Sequence, residues 1–315
     1  MEKSVTRNYT LDTVKGILIL LVILGHIVNG QGVLHYYIYL FHIPLFLGVS
    51  GYLLKKELFD ISFLELGKKY FYRLVIPFLF IYLVYSLIEQ ELFSLIYPWY
   101  HLWFIPAFLL FVLYLFIIEK LNLKISLILL ISFIFSVFWT GNYGYSNNMD
   151  VLYYLGDKRF YFDFIFLFFG YYIRNYFEKR YIPWGLPLLV FSLSAIYLFI
   201  FHKAYMITFI YSLNWVGFNL AFIYITLRIS RSFPLIQVPY INKIGQTSLP
   251  IYLWHILPLL FLRSIMDKYG MNIYLYLGLY FLSVTVVIAF IFRFKTSSFM
   301  KVMLMGELNK KYIKE

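Results

Sequence analysis

An all-α, polytopic membrane protein is what this sequence predicts, and three observations carry the prediction. Hydrophobic residues make up 62% of the 315 and charged residues only 13%, where a soluble domain carries about 25% charged; mean hydropathy is +0.78. The apolar residues fall into about ten runs close to the ~20 residues that cross a bilayer core as a helix. The Lys and Arg residues sit in the short loops between those runs, mostly on alternate loops. A water-soluble enzyme, a disordered chain and a secreted disulfide module are thereby excluded. With no cysteine, so are thiol catalysis and Cys-ligated metals.

The ten spans fall near residues 13–32, 38–54, 70–89, 101–118, 124–140, 160–177, 185–201, 206–227, 244–264 and 273–292. The first is too long for a signal-peptide core and lacks a small-residue cleavage site. Of the 27 Lys and Arg, 22 lie in the termini and even-numbered loops and 5 in the odd-numbered loops. That asymmetry places both termini in the cytoplasm, as an even number of spans requires. No stretch outside the spans is long enough for a soluble domain, so residues 1–315 read as one integral-membrane domain with none appended. The two halves show no repeat. A net charge of +12 spread over loops points to membrane lipids rather than nucleic acid. The bias toward Phe, Tyr, Ile, Lys and Asn fits an AT-rich genome and leaves single aromatics uninformative.

Ionisable residues within spans are costly, so each calls for a reason. In the first helix Lys15 and His26 are eleven positions apart and share a face, with Asp12 on the same face. His26 then lies about 16 Å deeper than Lys15, near mid-bilayer. A functional stripe and a simpler set of capping Asp, snorkelling Lys and core His both remain open. Gly245, Ser248, Tyr252 and His255 fall at i, i+3, i+7 and i+10 of the ninth helix. They form either a second polar stripe, with His255 level with His26 across a shared cavity, or a helix-packing seam.

His42 lies in a second helix made pliable by Pro44, Gly48, Ser50 and Gly51, whose freed carbonyls can line a cavity. His101, Trp103 and Pro106 open the fourth helix on the outer side, where Trp103 reads as an interfacial anchor or a sugar-stacking platform. Asp163, near the outer end of the sixth helix, is an acceptor-side candidate. Lys69 and Arg73 are spaced i, i+4 at the cytoplasmic start of the third helix. The pair suits phosphate binding, although the positive-inside bias alone also explains it. His35 and His202 read as loop residues.

Taken together, these segments resemble the membrane acyltransferase-3 family, the integral-membrane O-acyltransferases of bacterial surface glycans and related lipids. The matching pieces are Asp12-x-x-Lys15-Gly16 with Leu24-Gly25-His26, the stretch Phe41–Leu54, and Arg73 with Pro77. They continue with His101–Phe104 and with Gly245, Ser248, Tyr252 and His255. The first two are most similar to the fucose 4-O-acetylase-like branch. The family usually has Arg where this chain has Lys15, which keeps the cation and loses the bidentate fork.

The resemblance implies an enzyme of the bacterial cytoplasmic membrane with no tightly bound cofactor and acetyl-CoA as co-substrate. Its phosphates would be held by Lys69, Arg73 and Lys15. His26 would act as general base toward an acceptor hydroxyl or carry the acyl group transiently. Asp12 would hold Lys15, and His255 and Ser248 would orient the acceptor or stabilise the oxyanion. His42, Trp103 and Asp163 would contact the acceptor, a sugar of a surface polysaccharide or lipid-linked precursor. Some relatives carry an added hydrolase-like domain, so a separate partner in glycan assembly is also implied as an option. A polysaccharide or lipid-linked sugar transporter is the chief competing reading, and a scaffold of a glycan-synthesis complex the third.

Overall fold

The computed structural model describes residues 9–27, 32–89, 100–142, 159–177, 182–201, 209–232, 238–269 and 272–294. Both chain ends, and His202 among the loop residues, lie outside them. Among the described residues all regular structure is helical: α1 (Tyr9–Ile27), α2 (Gly32–Leu53), α3 (Phe63–Tyr70), α4 (Ile76–Glu89), α5 (Phe104–Lys120), α6 (Ile125–Asn142), α7 (Arg159–Phe162), α8 (Phe164–Asn175), α9 (Gly185–Ile200), α10 (Phe209–Ser232), α11 (Pro239–Gln246), α12 (Ser248–Trp254), α13 (Ile256–Tyr269) and α14 (Ile273–Phe294). Helix occupies each of the ten expected segments. Among the described residues five stretches are long and apolar enough to cross a membrane: Tyr9–Ile27, Val33–Leu53, Phe63–Ile88, His101–Lys120 and Phe209–Ser232.

The boundaries differ from the sequence pattern where proline and glycine act. Helix α1 covers Tyr9–Ile27, so Asp12 and Lys15 both lie within it. Within α2, His35 is helical, stacked 4.1 Å from Tyr39, rather than a loop residue. The third segment is not one α-helix: a π turn at Phe71–Val75 joins α3 to α4. Pro77 cannot donate to the Arg73 carbonyl, and a widened turn is how a helix absorbs such a defect. The ninth segment is broken twice, at Thr247 and at His255. Pro250 and Pro258 each fall three residues after a break, in the first turn of the next helix, where a missing N–H costs nothing.

The chain forms two compact units. One comprises residues 1–11, 30–62 and 106–236. Its centre is the crossing of α2 on α8, made possible by glycine. A Cβ on Gly51 would fall on the Leu167 carbonyl, and one on Gly170 on the Gly48 carbonyl. Small residues at such crossings let backbones approach in the absence of a hydrophobic drive between lipid-bathed helices. Helix α10 adds Ile223 against Gly48.

Proline sets the second feature of this unit. Pro44 has no N–H for the Leu40 carbonyl four residues earlier, and that oxygen accepts from Trp215 Nε1 at 2.9 Å and Asn219 Nδ2 at 3.1 Å. The freed carbonyl expected to line a cavity is a docking point for α10 instead. At one end, Glu119, whose side chain is 7% exposed, accepts from Tyr171 (2.8 Å) and Tyr176 (2.6 Å) and pairs with Lys56 at 3.4 Å. The Tyr176 hydroxyl, with Glu119 behind it, raises the Lys56 ammonium above its ordinary pKa.

The other unit comprises residues 12–29, 63–105 and 237–315. Helices α11 and α12 run through it, contacted by α1, α4, the turn Tyr100–Trp103 and α14.

Replacing Trp215 with Phe and Asn219 with Leu is expected to lower stability by about 1–3 kcal/mol, because it strands the Leu40 carbonyl. In a Pro44→Ala background the helix supplies its own N–H, so the same pair of changes is expected to cost less than half as much. Thermal unfolding of the four proteins in one detergent measures the difference.

Candidate active site

Helices α1 and α11 meet at backbone distance. A Cβ on Gly16 would overlap the Ile241 carbonyl, and one on Gly245 would overlap the Asp12 carbonyl and lie 2.8 Å from Gly16 N. Thr13 Oγ1 touches Asn242 Oδ1 beside this crossing. Gly245 is therefore a packing residue, as the seam reading holds for that position.

Ten residues beyond Gly16 stands His26, and ten beyond Gly245 stands His255. Their ring centroids are 5.2 Å apart. Two contacts with the same spacing on both chains mean that the two segments run parallel and in register between them. The breaks at Thr247 and His255 leave that register intact, because i, i+4 hydrogen bonds from Thr247 N–H to Lys243, Ile251 N–H to Thr247 and His255 N–H to Ile251 run across them.

A third imidazole completes the group. His101 lies in the short 3₁₀ turn Tyr100–Trp103, 4.9 Å from the His255 ring and 6.1 Å from the His26 ring, centroid to centroid. The turn is internal: His101 and Trp103 are each 6% exposed and Leu102 is fully buried. Trp103 is thus not an interfacial anchor; its indole packs edge-on against Phe104 at 6.1 Å.

Phenolic hydroxyls hold the backbone around the rings. Tyr252 donates to the His101 carbonyl, Tyr85 to the Leu253 carbonyl at 2.7 Å, and Tyr280 to the His255 carbonyl at 3.2 Å. His255 Nδ1 lies 2.8 Å from the Tyr252 carbonyl and 3.2 Å from that of Ile251. Carbonyls only accept, so Nδ1 carries the proton and Nε2 of the neutral ring is a lone pair. That Nε2 and both nitrogens of His101 are buried without a hydrogen-bond partner among the described residues. His26 is half-buried while the other two are enclosed. Such a group can take up and move protons. No cluster fit to hold a metal is found among the described residues.

Asp12 and Lys15 form a 3.0 Å ion pair at i, i+3, with side chains 7% and 17% exposed. They lie at the α1–α11 crossing, about three turns from the imidazoles. Ser248 is half-buried at the start of α12, and no hydrogen bond joins it to the three imidazoles among the described residues.

Lys69 and Arg73 are both exposed, and their charges act on one another. The one-face register expected of an α-helix does not apply, because Arg73 sits within the π turn. His42 and Asp163 belong to the first unit. His42 is buried, with Nδ1 2.6 Å from the Ile38 carbonyl one turn earlier. Asp163 is buried at the kink between α7 and α8, where its side chain makes no helix cap.

Sequence periodicity brings out His26 and His255 but not His101, which sits in an irregular turn with no stripe to flag it. Its sequence signal is the His101–Phe104 piece of the family resemblance, which assigns it no place beside the other two histidines.

The chain contains no cysteine, so an introduced pair is a clean probe of the crossing. Thr13→Cys with Asn242→Cys is expected to cross-link on mild oxidation in membranes. Adding Gly245→Ala is expected to abolish the cross-link, since the new methyl group pushes α11 away from Asp12.

The profile of the acyltransferase domain of the acyltransferase-3 family matches residues 8–292. Nodulation protein NolL of Sinorhizobium fredii (strain NBRC 101917 / NGR234) is 39% identical over 84 residues, covering 24% of this chain and 23% of that protein. The match thus spans about a quarter of the curated relative's length. No solved structure matches. With a profile that covers nearly all of its helical length, the chain belongs to the acyltransferase-3 family.

Proposed function

We propose that this protein is a multi-pass enzyme of the bacterial cytoplasmic membrane that transfers an acetyl group from cytoplasmic acetyl-CoA to a sugar hydroxyl. The acceptor is a surface polysaccharide or its lipid-linked precursor. The observation that carries the proposal is the convergence of His26, His101 and His255 in a chain of an acyltransferase family. A cluster of neutral imidazoles is suited to removing a proton from a hydroxyl at physiological pH.

In this reading the ten helical segments are ten spans with both termini in the cytoplasm. The parallel run of the first and ninth segments supports it, since two odd-numbered spans cross in the same direction. Lys69 and Arg73, exposed on the second cytoplasmic loop side, bind the CoA phosphates, Arg73 by its fork and Lys69 as a point charge. Lys15, held by Asp12, lies on the path from that surface to the imidazoles. His26, the half-buried ring, meets the substrates. It acts as general base or as the transient acyl carrier. His42, Trp103, Asp163 and Ser248 are assigned to the acceptor side, together with membrane lipids as the surrounding medium and a separate glycan-assembly partner.

The test is the O-acetyl content of the surface glycan, read by proton NMR before and after mild base. Deletion is expected to remove the acetyl resonances, and complementation with His26→Ala at normal membrane level is expected not to restore them. Export of the glycan lost on deletion, with no acetyl signal at stake, would put transport in place of transfer. In membranes, Lys69→Ala and Arg73→Ala are each expected to raise KM for acetyl-CoA about tenfold or more, with kcat within about threefold of wild type.

A further inference from the structure

The three imidazoles differ in exposure and in hydrogen bonding, and the differences sort their roles. His26 is half-buried. His101 is 6% exposed with both nitrogens unpartnered, and His255 is fully enclosed with Nε2 unpartnered. Of the three rings, the half-buried one is placed to meet a sugar hydroxyl or a thioester first. A ring in contact with the exposed one can receive what it takes up.

We propose that His101 and His255 are proton-relay partners of His26, with His255 Nε2 as the terminal acceptor, rather than residues that orient the acceptor. This rests on the acyltransferase reading and deepens it.

His255 is built for the task. Its Nδ1–H is committed to the Tyr252 and Ile251 carbonyls, so Nε2 is the only site left for a proton. Once Nε2 is protonated, both carbonyls hold the imidazolium through charge-assisted hydrogen bonds. The His255 carbonyl is fixed by Tyr280, and the His101 carbonyl by Tyr252, so the rings cannot drift apart without breaking a buried hydrogen bond. His101 packs against both other rings, 4.9 Å from His255 and 6.1 Å from His26 between centroids, so a rotation of its ring brings a nitrogen into line with either.

The balance of the step closes on the residues present. The acceptor O–H bond breaks as its oxygen bonds the thioester carbonyl carbon, and the proton passes to His26. It moves on to His255 Nε2, directly or through His101. When the C–S bond breaks, the proton returns by the same rings to the CoA thiolate. One hydroxyl and one thioester become one ester and one thiol, and the histidines end as they began.

The experiment uses the full chain in bilayers and two readouts. Nitrogen-15 NMR of histidine-labelled protein, without substrate, is expected to show His255 as the Nδ1–H tautomer, assigned by its loss in His255→Gln. Turnover is then measured with acetyl-labelled acetyl-CoA, using the lipid and glycan extract of the deletion strain as acceptor. His101→Ala and His255→Ala are each expected to lower kcat about 100-fold with KM for acetyl-CoA unchanged, and added imidazole is expected to restore part of it. His101→Gln and His255→Gln, which keep side-chain volume, are expected to show the same loss of kcat without loss of folded protein. An active wild type with Nε2–H at His255, or with turnover unchanged in these variants, overturns the relay. A wild type that forms no ester while His255 shows the expected tautomer overturns the acyltransferase reading instead.

Discussion

A carbonyl that loses its helical N–H in an apolar medium must find another donor, and most of this structure follows from where that happens. An unsatisfied peptide group in hydrocarbon costs several kcal/mol, more than most packing arrangements supply. In the first unit the loss occurs at Leu40, opposite Pro44, and the donors are Trp215 and Asn219. That one oxygen fixes the rotation and height of α10 against α2, and with it Ile223 against Gly48. In the second unit the helix carrying His255 breaks ahead of Pro250 and Pro258, and Tyr85 and Tyr280 donate to carbonyls beside the second break. Those carbonyls flank Trp254, whose own i+4 donor Pro258 removes, so the hydroxyls brace the backbone at the break and hold the imidazoles in place together.

This gives the aromatic composition a role that residue counts alone do not reveal. The chain has 32 Tyr, and an AT-rich coding bias is enough to explain the number. Placement is another matter: Tyr85, Tyr252 and Tyr280 sit where a buried carbonyl wants a donor, and Tyr171 and Tyr176 sit on the Glu119 carboxylate. No pattern in the sequence distinguishes these five from the rest, because each is defined by a partner far along the chain. The periodic features were legible for the opposite reason. His26 and Lys15 lie on one continuous helix, so a period of 3.6 carries the information. His255 was legible because its breaks scarcely disturb helical rise. Lys69 and Arg73 were legible as a basic pair, yet not in their true register, since Pro77 widens the turn between them. His101 was visible as a motif residue but not as a partner of the other two histidines, and Trp103 was misplaced for the same cause: a segment that reads as a helix start at the membrane surface is interior.

The pairing of Gly16 with Gly245 sets the height of everything above it. Two helices that touch through backbone have no slack for sliding, whereas helices spaced by Leu or Phe side chains can shift by repacking. From that fixed point both segments rise ten residues to a histidine. A rise of about 1.5 Å per residue carries any error in the crossing straight to the rings, and an error of about 1 Å in a reacting pair is worth about 100-fold in rate. Glycine at these two positions therefore sets the spacing of the imidazole rings as directly as the residues beside them do. The seam and the polar stripe that compete as explanations of Gly245, Ser248, Tyr252 and His255 turn out to be consecutive parts of one device. The lower part locks the helices together and the upper part uses the lock to bring the buried Nε2-bearing ring of His255 against the half-buried ring of His26.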